Sequence, residues 1–142
     1  MERLSYLVNI IPALISKIPD EEFDRIPAPG KWSKKQILGH LIDSATNNHQ
    51  RFIRIQFENE PAIYYDQDNW NLHNHHQELS KKHLIAFWTI YNIHLIHLVS
   101  RIPTGHLNRK GKGKDGVLKT LAWYIEDYVT HMEHHLRQMV NY

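Results

Sequence analysis

Apolar side chains recur along this chain in alternating steps of three and four, the spacing that gathers them on one face of a helix. Leu4, Leu7, Ile11, Leu14 and Ile18 make a first stripe, which stops where Pro19 and the stretch from Pro27 to Gly30 disfavour helix. A second opens at Ser33, whose hydroxyl can cap free backbone N–H groups while Gln36 reaches back, and continues through Leu38, Leu41, Ala45, Asn48, Phe52 and Ile55. A third runs through Leu84, Trp88, Tyr91, Leu95, Leu98 and Ile102, and a fourth through Leu118, Leu121, Ile125, Tyr128, Met132, His135 and Met139. No segment alternates convincingly with period two. The expected fold is therefore all-α, a four-helix bundle forming one domain over residues 1–142.

The connections predict the order of the helices. From about Glu58 to Glu78 the chain carries Pro61, several aromatics and turn-forming Asp and Asn, too long a stretch for a turn between antiparallel neighbours. It can cross the whole bundle. Short links on either side of it then give an up-down-down-up order, with the second and fourth helices antiparallel.

Three positions change what this bundle can be. His131 and His135 are four residues apart and share a helix face, and His135 occupies a seam position that a leucine would normally fill. His40 lies about two turns from the start of the second helix, and His135 about two turns from the end of the fourth, so at about 1.5 Å per residue they fall at similar height. Three imidazoles presented to one ion leave positions for water or substrate, the open ligand set of a catalytic metal rather than a closed structural one. The chain has 12 histidines, and His49, His73, His75, His76, His83 and His106 have no periodic reason to face the core. His134 points about 100° away from His135, and His94 with His97 forms an i, i+3 pair lacking an evident third ligand.

Composition narrows the chemistry further. With no cysteine, disulfides, thiolate ligands and a cysteine nucleophile are excluded, and any metal must use nitrogen and oxygen. A net charge of +2 falls short of the concentrated basic surface that phosphate-backbone binding requires, so nucleic acid is not an expected partner. No apolar run approaches the roughly 20 residues that span a bilayer, and Met1-Glu2-Arg3-Leu4 lacks a signal-peptide pattern. A cytoplasmic protein acting on a small molecule, without a membrane partner, is expected.

Familiar helical metal motifs do not fit. In His131-Met132-Glu133-His134-His135 the glutamate is one position away from its place in the His-Glu-x-x-His motif of zinc proteases. Di-iron bundles need a Glu-x-x-His pair on each of two helices, which this chain does not supply. Gly111-Lys112-Gly113-Lys114-Asp115-Gly116 matches Gly-x-Gly-x-x-Gly literally, but no strand is expected before it, so it reads as a loop rather than a dinucleotide site.

Trp32-Ser33-Lys34-Lys35-Gln36-Ile37-Leu38-Gly39-His40-Leu41-Ile42-Asp43-Ser44 resembles the second-helix motif of the DinB-like proteins, with His40 in the place of the first metal ligand. His131-Met132-Glu133-His134-His135-Leu136-Arg137-Gln138 resembles the fourth-helix motif, with His131 and His135 in the places of the other two. Tyr65-Asp66-Gln67-Asp68-Asn69-Trp70 is similar to a crossover segment of one branch, so the resemblance covers nearly the whole chain. It implies a four-helix bundle holding a divalent ion such as nickel or zinc, commonly as a homodimer. The implied activities are those of metal-dependent hydrolases and bacillithiol-type thiol S-transferases.

An ion held by His40, His131 and His135 would lower the pKa of water or thiol, and a protein without cysteine would take that thiol from a small co-substrate. Asp43, one turn beyond His40, is placed either to orient an imidazole or to accept a proton. Asp66 and Trp70 are candidates for a lid, because long loops in compact domains are often functional, and Arg51 and Gln138 are candidates for polar contacts. Trp88, Tyr91, Trp123, Tyr124 and Tyr128 are too many rings for one narrow seam, which favours a homodimer. The alternative to an enzyme is a non-catalytic helical dimer that binds a metal or small ligand.

Overall fold

A computed structural model describes residues 1–142, and its four long helices are α1 (Glu2–Ser16), α3 (Lys34–Arg54), α5 (Lys81–Ser100) and α6 (Leu121–Leu136). Two short helices, α2 (Asp20–Asp24) and α4 (Gln67–His73), and a hairpin of β1 (Lys110–Lys112) with β2 (Leu118–Thr120) fill the connections. Helix starts are set by side chains that accept the otherwise unpaired first-turn N–H groups. Ser33 and Gln36 form the expected capping box, and Ser80 and Thr120 cap α5 and α6.

The chain ends establish direction. Lys81 at the start of α5 donates to the carbonyl of Ile18 just past α1, while Ser33 at the start of α3 donates to Gln77 just before α5. The start of α3 also meets the end of α6 through His40 and His135. The order is up-down-down-up, with α1 against α5, α5 against α3 and α3 against α6. Leu4, Ile11, Leu38, Phe52, Leu84 and Met132 belong to one continuous buried core. Within it the Tyr128 hydroxyl donates to Asn92 Oδ1 at 2.7 Å, so the polar end of a wholly buried ring has a partner.

The links differ from the expectation in a way that explains the topology. Neither Lys17–Ser33 nor Arg101–Thr120 is a tight turn, since the first folds into α2 and the second into the hairpin. Leu118, assigned by periodicity to the fourth helix, lies in β2, and the literal Gly-x-Gly-x-x-Gly match is the hairpin and its turn, with Gly116 at φ +71°. The hairpin closes the far end of the bundle. Arg109 donates to the carbonyl of Ile55, and Gly111 lies so near Ile55 that an added Cβ would come within 2.7 Å of its Cδ1. The crossover adds its own bridge, Ala62 against Lys112, which anchors the extended segment leading into α4.

The aromatic surplus resolves largely inward. Trp88, Tyr124 and Tyr128 are buried and Tyr91 half-buried, leaving Trp123 as the exposed ring of the five. Exposed apolar side chains occur elsewhere, Phe57 and Leu72 among them, and on α5 Phe87, Ile90 and Ile93 face outward together. No helix is long and apolar enough to cross a membrane.

Candidate metal centre

The centre is built on the α3–α6 seam. His40 is fully buried one and a half turns into α3, and Trp32, just before the capping box, packs its ring 4.9 Å from the imidazole. From α6, His131 and His135 stand one turn apart with ring centroids 4.7 Å from each other, and 5.1 and 4.7 Å from that of His40. One nitrogen from each ring lies within 4.8 Å of the others, and His40 Nε2 is 3.2 Å from His131 Nε2.

Burial, and then the neighbouring imidazoles, push His40 down to about 3; the same two causes bring His135 to about 4, and burial lowers His131. All three rings are therefore neutral near pH 7, with lone pairs available. Two neutral imidazole nitrogens at 3.2 Å can share one proton at most, whereas a cation would satisfy all three. Zn–N bonds of about 2.0–2.1 Å in a tetrahedron place nitrogens about 3.3 Å apart, so the His40–His131 spacing suits such an ion. The donor set and the protonation state both fit a divalent metal.

Around the triad, Asp43 meets a partner that periodicity did not supply. His76 Nε2 donates to Asp43 Oδ1 at 3.0 Å and Asn74 Nδ2 donates to the same oxygen at 2.8 Å, with both ring and carboxylate buried. His76, expected at the surface, is thus a core residue. It reaches Asp43 because the crossover returns over α3, and Gly39 leaves room: a Cβ there would lie 2.3 Å from His76 Cγ. That glycine, one residue before His40, was the available signal for a close approach.

The remaining candidates fall into two places. Asp66 caps α4 by accepting from the Asn69 N–H at 3.1 Å and is exposed, while Trp70 is half-buried, edge-on to Tyr65 at 5.3 Å. Tyr65, which sequence reasoning did not single out, has its hydroxyl pushed well above the usual tyrosine range by burial and by the Asp43 charge. Gln138 donates to His134 Nε2 at 3.1 Å and lines, with Trp32, Ile37, Gln67 and Asp68, a cleft of about 470 Å³. Trp32 is the wall between that cleft and His40. Arg51 lies at the other end of the same seam, its guanidinium 4.8 Å from the Tyr124 ring.

With this geometry established, comparison with known proteins gives a consistent picture. The profile of the DinB superfamily matches residues 7–139. The Oceanobacillus iheyensis protein OB0413, a candidate metal-dependent hydrolase by name, is 23% identical over 140 residues, covering 96% of this chain and 79% of its own length. YfiT from Bacillus subtilis, described as a probable metal-dependent hydrolase with an unusual four-helix bundle topology, superposes with a TM-score of 0.83 at 22% identity, over 97% of this chain and 82% of that one. A mycothiol-dependent maleylpyruvate isomerase superposes at 0.78 with 12% identity, over 97% of this chain and 59% of its own. These likenesses extend to the fold and its topology.

Proposed function

Since the chain belongs to the DinB superfamily, we propose that it is a metal-dependent enzyme in which His40, His131 and His135 hold one divalent ion, nickel or zinc, and that it acts as a thiol S-transferase or a hydrolase on a small molecule. The observation that carries this reading is the convergence of three neutral imidazoles, one buried and two half-buried, with ring nitrogens within 4.8 Å. The ion, when bound, supplies Lewis acidity that favours the deprotonated form of a thiol or water near neutral pH. The protein's own groups do the rest. Trp32 and the aliphatic part of the cleft wall exclude water on one side of His40, and Gln138 offers a polar contact at the cleft edge. Asp43 fixes His76, and through it the crossover, against α3. With Gln67 and Asp68 lining the cleft, α4 is the element placed to act as a lid, with Asp66 setting its first turn and Trp70 anchoring it on Tyr65. Having no cysteine, the protein would draw a low-molecular-weight thiol from its surroundings, in keeping with a cytoplasmic setting.

A second reading, a non-catalytic helical dimer that binds metal or a small ligand, draws on the exposed α5 face of Phe87, Ile90 and Ile93. Metal analysis of wild type, His135→Ala and His75→Ala separates the possibilities. Wild type and His75→Ala should retain one ion per chain and His135→Ala none, and a chelator should lower the melting temperature of the first two alone, because a ligand bound only by the folded state stabilises it. Equal metal in all three would defeat the assignment. Loaded protein should then consume an electrophile together with a thiol, or hydrolyse without one, and lose that activity in His131→Ala. Full metal occupancy with neither activity would favour the binding protein.

A further inference from the structure

On α3, His40, Ser44, Asn48 and Arg51 follow one another in steps of three and four, and on α6 Tyr124, Asp127, His131 and His135 do the same. Because the two helices run antiparallel, the stripes face each other: the histidines meet at one end and Arg51 covers Tyr124 at the other. Seven residues separate Tyr124 from His131, about 10 Å along the axis. The seam is thus a polar track leading from the triad to a guanidinium.

That guanidinium is half-buried and takes part in none of the protein's ion pairs, so no carboxylate lies within 4.0 Å of it. Its Nε and Nη2 donate to the Ile63 carbonyl at 3.2 and 3.0 Å, and its Nη1 to Asn48 Oδ1 at 3.2 Å. Of the five N–H donors of an arginine, these contacts leave one on each terminal nitrogen. Asp127, the acid on the facing stripe, attracts Arg51 from beyond ion-pair distance and does not close the gap. Lys119, the nearby lysine, is committed to Asp115 and to the face of Trp123. A partly buried cation with no carboxylate in contact is costly, and two donors on adjacent nitrogens match the two oxygens of a carboxylate.

We infer that Arg51 is a specificity-determining residue, binding the carboxylate of a small anionic substrate whose reacting end lies at the three histidines. A single cation suits a monoanionic carboxylate better than a phosphate dianion. The substrate role rests on the metal-enzyme reading above, whereas carboxylate binding by Arg51 does not, and the experiment keeps the two apart. Adipate and hexanoate, equal in length but different in charge, are titrated into zinc-loaded wild type, Arg51→Gln, Arg51→Lys and Asp127→Asn, with metal content measured for each. The Arg51 Nε–H resonance is followed in metal-free protein. Adipate should bind at least tenfold more tightly than hexanoate to loaded wild type, the advantage should vanish in Arg51→Gln and persist in part in Arg51→Lys, and either acid should shift the Arg51 resonance saturably. Asp127→Asn, which leaves the Ile63 contacts in place, should tighten adipate binding severalfold even if Arg51→Gln fails to fold. Metal retention with an unmoved Arg51 resonance and no adipate advantage overturns the subsite and leaves the metal site standing. A responsive resonance without metal retention keeps the subsite and removes the enzyme. If Arg51→Gln melts lower yet binds adipate unchanged, Arg51 is only a clamp on the crossover and the inference fails.

Discussion

At the scale of single residues, the three imidazoles are bases wholly or partly withdrawn from water, and this couples the fold to pH. In an unfolded chain each titrates near 6.5, whereas burial keeps His40 at about 3 and His135 at about 4 in the folded protein. Below about pH 6.5 the unfolded chain gains protons that the folded chain does not, so stability is greatest above that value and declines as the pH falls toward 4. Chelator-treated protein should therefore melt at a lower temperature at pH 5 than at pH 7, and His40→Gln should shrink the difference. Equal melting temperatures at the two values would mean that the imidazoles are hydrated in the folded state.

Among the elements, the decisive contact is the crossover lying on α3. Gly39 allows it: His76 occupies the space where any other side chain would begin, and its hydrogen bond to Asp43 is made across that gap. Gly39→Ala gains helix propensity on α3 but forces His76 out, and overpacking of this kind costs about 1–3 kcal/mol. Urea unfolding should show a net loss of stability. The double variant Gly39→Ala with His76→Ala should lose less stability than the sum of the two single losses, because both changes disrupt one contact. A stabilised Gly39→Ala protein would show that the crossover does not depend on this approach.

For the whole molecule, the question is what covers α5. Its apolar positions run round the helix: Leu84, Trp88 and Leu95 are buried while Ile90 remains 67% exposed and Ile93 53%. A helix that is apolar on every side is normally buried on every side, and a second copy packed on this face would complete the burial. Light scattering at micromolar concentration should give twice the chain mass of 16.9 kDa, and Ile90→Lys should return the monomer with metal content unchanged. A monomeric wild type would defeat the dimer and leave the metal centre intact.

What the sequence determined by itself was whatever repeats along a helix. Periodic apolar positions located the four long helices, the Ser33–Gln36 box marked the start of α3, and i, i+4 spacing put His131 and His135 on one face. The similar heights of His40 and His135 followed from counting residues once the topology was supposed. Tertiary structure decided everything that depends on segments without periodicity. The crossover carries no helical pattern to show that His76 is buried against Asp43, nor that Ile63 receives Arg51. The hairpin strands are each three residues long, too short for alternation to register, so Leu118 looked like a helix position. Periodicity reports which side of an element faces inward; it does not report what a loop brings to that side, because loop contacts are set by where the helices leave the chain ends in space.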